Sequence, residues 1–153
     1  MTEIHTSIQS KQSFMSNDLK ILMDMRKYKF RGKSTDTKEW LVGALVPNGK
    51  HPCIAPFGEL FHLEEVSHET VGQFVELTDR NKREVYEGDI LKWKEYDFEK
   101  IGVVIWSPSG VFIGRPREHG IQCIGVACTI KETEVIGNIH DNPEYLKDKS
   151  DGE

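Results

Sequence analysis

The chain has 153 residues, of which 37% are hydrophobic and 29% charged, and it carries a net charge of −5. That length suits one domain with tails, whose body of ~120 residues can bury a core unaided. The acidic balance lacks the basic footprint of a general nucleic-acid binder. No apolar run nears the ~20 residues that span a bilayer, and the polar N-terminus lacks the apolar core of a signal peptide.

Residues 1–24 form an N-terminal extension without strand alternation. Ser16-Asn17-Asp18 supplies a cap for a short helix through Leu19, Ile21, Leu22 and Met25. Two readings stay open: a disordered tail, with Met25 as the start codon, or an ordered helical arm that packs on its own or a neighbouring subunit. The patterned domain covers residues 25–146, and Lys147–Glu153 is a solvated tail. Within the domain, strands are expected near 27–32, 39–46, 53–56, 59–63, 71–77, 84–86, 89–94, 101–106, 111–114 and 134–139. Pro47-Asn48-Gly49, Pro56-Phe57-Gly58, Tyr96-Asp97-Phe98 and Ser107-Pro108-Ser109-Gly110 punctuate them as turns. Arg115–Gly120 reads as a loop, and Ile121–Ile130 as an irregular apolar segment with strand character. Asn142-Pro143-Glu144 starts a terminal helical turn, with Asn142 as its cap and Pro143 at the first position.

The stretch from Val71 to Leu91 is the most informative. Phe74, Val75 and Leu77 lead into Asp79-Arg80-Asn81-Lys82, whose Asp and Asn side chains favour a turn. Val85 and Tyr86 return as a short strand. Gly88, in Glu87-Gly88-Asp89, can take positive φ without steric cost, and Asp89 can accept backbone N–H groups. Ile90, Leu91 and Trp93 then open a half-buried strand in which Lys92 and Lys94 alternate with the apolar residues.

These residues, with Val71-Gly72-Gln73-Phe74, Leu77-Thr78-Asp79 and Tyr86-Glu87-Gly88-Asp89-Ile90, resemble the YopX-like family of phage and prophage proteins. Val135-Ile136-Gly137-Asn138-Ile139 and Asn142-Pro143-Glu144 extend the match. The basic opening Arg26–Arg31, and Trp40 with Gly43, fit as well, so the resemblance covers roughly residues 26–146. It implies a mainly β fold with an SH3-like barrel core, additional hairpins, short helical segments at the termini, and a phage-related origin. It implies no activity, cofactor or catalytic residue.

Several constellations compete with simpler readings. Cys53, Cys123 and Cys128 are too sparse and odd in number for a disulfide framework, and read as reduced thiols of a cytoplasmic protein. Cys123 and Cys128 with His119, joined by Cys53 or His51, would make a metal set, but C-x4-C lacks the spacing of a structural zinc site and no second pair exists. A small buried hydrophobe is the expectation for the thiols, and no metal is expected. His62 and His68 stand beside Glu64, Glu65 and Glu69, which can tune a general base, yet a surface charge run accounts for them and no G-x-S-x-G elbow accompanies them. Glu84, Glu87 and Asp89 have an adequate role in turn structure without binding a cation. Arg26, Lys27, Lys29, Arg31 and Lys33 interleave with Tyr28 and Phe30, as in a single-stranded nucleic-acid platform. An edge strand with aromatics inward and cations outward shows the same alternation. Trp40, Trp93 and Trp106 are expected to line the core, where one of them can mark a groove.

The expectation is therefore a non-enzymatic accessory protein that binds another macromolecule or assembles with itself, without a cofactor. Nucleic-acid binding through Lys27, Lys29, Arg31, Lys92 and Lys94 is the second reading. An enzyme built from histidines and carboxylates is the third.

Overall fold

The computed structural model describes residues 28–57, 62–107, 110–117 and 120–147, excluding the side chains of 112, 115–117 and 120–129. The extension over 1–24, Lys27 and the tail beyond Lys147 lie outside the described residues. Among the described residues eleven strands run in chain order: β1 Phe30–Lys33, β2 Trp40–Val46, β3 Cys53–Pro56, β4 Glu64–Glu65, β5 Gly72–Thr78, β6 Glu84–Tyr86, β7 Asp89–Glu95, β8 Phe98–Ser107, β9 Gly110–Arg117, β10 Gly120–Val126 and β11 Glu134–Asn138. The helical segments are three short 3-10 turns: η1 His68–Thr70, η2 Ala127–Glu132 and η3 Pro143–Leu146.

The strands form two antiparallel sheets, ordered β4-β3-β2-β1-β5-β6 and β10-β9-β8-β7-β11. The protein is mainly β, as its alternation and turn punctuation predict. Among the described residues no strand pairing closes either sheet into a barrel. The sheets meet over one core, where Val75 and Val85 of the first face Leu91, Val104, Ile113 and Val135 of the second, with Ile130 of η2 closing one end. Each such side chain contributes about 1.5–3 kcal/mol by leaving water.

Several local expectations are revised. Of the segment expected as a loop at Arg115–Gly120, residues 115–117 end β9 and Gly120 begins β10, paired antiparallel so that Gly120 faces Arg117; residues 118 and 119 lie outside the described ones. Pairing across a sheet outweighs the turn character of Pro116 and Gly120. The strand expected at 59–63 falls partly on residues outside the description, and pairing in that region comes at β4, where Glu65 faces Cys53. Phe98, expected in a turn, begins β8, so the β7–β8 turn is the two residues Tyr96 and Asp97. η3 forms where Pro143 predicts it, but Asn142 makes no capping bond to it. The Asn142 side chain instead accepts from the Asn138 amide, 3.4 Å away.

β1 carries the largest revision. It is not an edge strand: β2 pairs with one side of it and β5 with the other. Its alternation is also opposite to expectation, with Arg31 buried and Tyr28 exposed. The close β2–β3 approach depends on Gly43, where a Cβ would stand 2.0 Å from the Ala55 carbonyl oxygen.

Candidate functional site

The β6–β7 turn passes the chain from one sheet to the other, and Gly88 takes it at φ +82, a left-handed conformation that strains any side chain with a Cβ. Three elements hold this turn. The Gly88 amide donates to the Val104 carbonyl at 3.0 Å, and the Gly88 carbonyl accepts from the Ile139 amide at 3.0 Å. From β1, Arg31 Nη2 donates to the Glu87 carbonyl at 3.2 Å.

Behind the turn, Arg31 Nη1 lies 2.6 Å from Asp89 Oδ1, and both side chains are buried. The other carboxylate oxygen of Asp89 accepts from the Tyr86 amide at 2.8 Å. Burial pushes the Asp89 carboxyl up from its usual range, while Arg31 and the Tyr86 amide pull it back down. The guanidinium sits 4.9 Å from the Trp40 ring centre and 5.1 Å from that of Tyr86. These contacts are favourable for a planar, weakly hydrated cation. Arg31 Nε is buried without a hydrogen-bond partner. Burial first, then the Glu84 hydrogen bond, pushes the Tyr86 hydroxyl well above its usual range, so it stays protonated.

The network continues to the surface through Asp141. Its carboxylate accepts from Trp40 Nε1 at 2.7 Å and from Asn138 Nδ2 at 3.0 Å, and it pairs with Lys33. These donors hold Asp141 well below the usual carboxylate range. The His140 ring lies 6.0 Å from that of Trp40, tilted by 52°. Burial, with Arg31 and Lys33 nearby, lowers its pKa. A second buried carboxylate, Asp79, organises the β5–β6 turn by accepting from the Asn81 and Arg83 amides, and it ties in β11 through the Val135 amide at 3.0 Å. Sequence reading placed Asp79 in a turn but missed its bond across to β11. It missed Asp141 and the Arg31–Asp89 pair altogether, because each joins residues far apart in sequence.

The residues of the basic reading are dispersed. Lys29 pairs with Glu84 at 2.5 Å and lies over the Phe74 ring, and Arg31 is the buried partner of Asp89. Lys92 lies 4.0 Å from Glu99, and Lys94 is exposed on β7. Lys27 is outside the described residues. Of the thiols, Cys53 is buried and free, 3.6 Å from Asn48 Nδ2. Cys123 falls in β10 and Cys128 in η2, with their side chains outside the described ones, as is His119. Among the described residues no three His, Cys, Asp or Glu side chains gather as a metal site. His62 and His68 do not converge: His62 lies 3.8 Å from Glu64, while His68 belongs to η1. Trp93 packs against the core, Trp40 joins the Arg31 network, and Trp106 is half exposed.

Two accessible features remain. One is an arm formed by the outer ends of β7 and β8. β11 covers β7 only from Asp89 to Lys92, and β9 covers β8 only from Val103 to Ser107. Among the described residues no strand flanks the ribbon Trp93–Lys100. At its tip Tyr96 is 93% and Phe98 74% exposed, and Tyr96 holds φ +54. The second is an open groove of about 470 Å³, lined by lysines and hydroxyl residues, between the end of β1, the β2–β3 loop and η1.

This mainly β chain of two facing sheets belongs to the YopX family, whose profile, described as YopX protein, matches residues 29–147. A similar solved structure is that of protein EF1440 from Enterococcus faecalis, at 24% identity over 78% of this chain and 97% of that one, with a TM-score of 0.46. No curated protein matches the chain. Among the described residues no helix is long and apolar enough to cross a membrane.

Proposed function

We propose that this protein is a non-enzymatic module, working in the cytoplasm of a phage-infected or lysogenic cell, that binds another protein or a second copy of itself through the β7–β8 arm. The carrying observation is the ribbon Trp93–Lys100, with Tyr96 and Phe98 at its tip turned to water. Two strands alone are marginally stable, and unflanked strand edges present unpaired backbone groups to another chain. A bulky residue at positive φ stores strain of about 1–3 kcal/mol, a recurrent mark of functional loops. Glu95 pairs with Lys100 within the ribbon, and Glu99 approaches Lys92 just beyond it. Its exposed aromatic tip is the feature this reading assigns to a partner. The SH3-like barrel implied by the family resemblance is the finer architectural reading, supported by the single core that β5 to β9, η2 and β11 share.

The non-enzymatic reading rests on what three hydrogen-bonded carboxylates do, two of them buried and Asp141 at the surface. Asp79, Asp89 and Asp141 each hold backbone or side-chain donors that fix turns and join sheets. Nucleic-acid binding through the opening strand is the weaker reading, because Lys29 and Arg31 are already paired. The test is sedimentation of the wild type against Tyr96→Ser/Phe98→Ser, together with capture of partner proteins from lysogenic cells. Loss of self-association or of a captured partner in the variant supports the proposal. Unchanged behaviour in both assays removes the arm as the binding element.

A further inference from the structure

We infer that the lysine-lined groove beside η1 is an anion-binding site that receives a short acidic peptide segment of a partner protein. This goes beyond the arm while resting on the same protein-binding reading. The groove is walled by Lys33, Lys38 and Lys50, by His51 and His68, and by the hydroxyl residues Ser34, Thr35, Ser67 and Thr70. Glu69 is the one carboxylate among the described lining residues. Three lysines against Glu69, with Asp141 paired to Lys33, give the site a local charge of +1 on a chain whose total is −5. The local sign is therefore the reverse of the molecule's, and the remainder carries −6.

The walls are built rather than incidental. Ser34 is buried, and its hydroxyl accepts from the amides of Asp36 and Thr37, at 3.2 Å and 3.1 Å, which folds the β1–β2 loop. Lys38 sits at φ +63, with its ammonium donating back to the Thr35 carbonyl at 2.5 Å. Thr70 Oγ1 donates to the Ser67 carbonyl and accepts from the Lys33 amide, both at 2.8 Å, which fastens η1 to β1. Lys33 is held on one side by Asp141. Each of these lysine ammonium groups keeps further N–H donors for a ligand, because an ammonium has three.

The lining selects among anions. Among the described residues it holds no Phe, Tyr or Trp, the side chains on which single-stranded bases stack. Its lysines stand on three segments, Lys33 at the end of β1, Lys38 in the β1–β2 loop and Lys50 in the β2–β3 loop, around a space of about 470 Å³. Ammonium charges so distributed suit carboxylates spaced along a peptide better than one compact anion. The acidic remainder of the molecule repels a long polyanion, whereas a segment no longer than the groove avoids it.

The experiment is fluorescence anisotropy of a labelled short poly-glutamate peptide, with inorganic phosphate and a short single-stranded oligonucleotide as competing probes. The wild type, Lys50→Glu and His68→Glu are measured, and each variant is checked for an unchanged melting temperature. We expect peptide binding that weakens roughly tenfold in Lys50→Glu, falls with added salt, and persists in Tyr96→Ser/Phe98→Ser. Absence of peptide binding up to about 1 mM, or equal binding by folded Lys50→Glu, overturns the proposal. So does displacement by the oligonucleotide or phosphate more effectively than by unlabelled peptide. Because the arm variant leaves the groove intact, failure here and failure of the arm reading are separate results.

Discussion

Replacing Asp89 by alanine tests the junction between the sheets. The change strands Arg31, whose guanidinium is buried and paired 2.6 Å from the carboxylate. Removing one partner of a buried pair costs about 3–5 kcal/mol, because the other charge stays desolvated. The Tyr86 amide also loses its acceptor, an orphaned buried donor worth about 1–3 kcal/mol. Arg31 keeps the Glu87 carbonyl and the Trp40 and Tyr86 rings in the variant, which places the loss at the low end of these ranges. The expected loss is then about 4 kcal/mol, or a fall in Tm on the order of 15 °C for a domain this size. Asp89→Asn retains an acceptor for the amide and isolates the charge effect at about 3 kcal/mol. Arg31→Met/Asp89→Leu removes both charges and should recover the charge part of the loss, while the Tyr86 amide stays without its acceptor. Urea unfolding followed by tryptophan fluorescence measures all three. A loss below about 1 kcal/mol in Asp89→Ala, within the range of ordinary substitutions, refutes the junction argument.

Gly88→Val should cost about 1–3 kcal/mol through strain at φ +82, since a Cβ there meets Ile139 only at an ordinary 3.5 Å; thermal melting checks it, and a wild-type Tm contradicts the turn assignment. Asp141 is depressed in the fold by Asn138, Lys33 and Trp40. Its contribution to stability should therefore be present above about pH 4 and lost as the pH falls below that. In a series of melts across pH, Asp141→Asn should be less stable at neutrality and flatter on the acid limb, and an unchanged acid limb counts against the network. For the thiols, elemental analysis should find no stoichiometric zinc and chelators should leave Tm unchanged, because a structural metal would supply folding energy directly; one tightly held zinc per chain overturns that expectation.

Period-2 alternation and turn residues were enough to read the mainly β class, most strand positions and the family. These are local properties: Leu91 and Trp93 alternate with lysines within one strand, and Gly88 takes positive φ because of its own missing side chain. Reading failed where a residue's role depends on partners distant in sequence. Arg31 looks like one of several exposed cations until β2 and β5 pair on either side of it and aim it at Asp89, 58 positions later. Arg115–Gly120 looks like a loop until β9 and β10 find each other. The groove draws its lysines from β1, the β1–β2 loop and the β2–β3 loop, which no spacing rule connects. The arm is defined by where its neighbours β9 and β11 stop. Local conformational preference is therefore written in consecutive residues, whereas the burial of a charge and the accessibility of a strand depend on the three-dimensional packing of the whole chain.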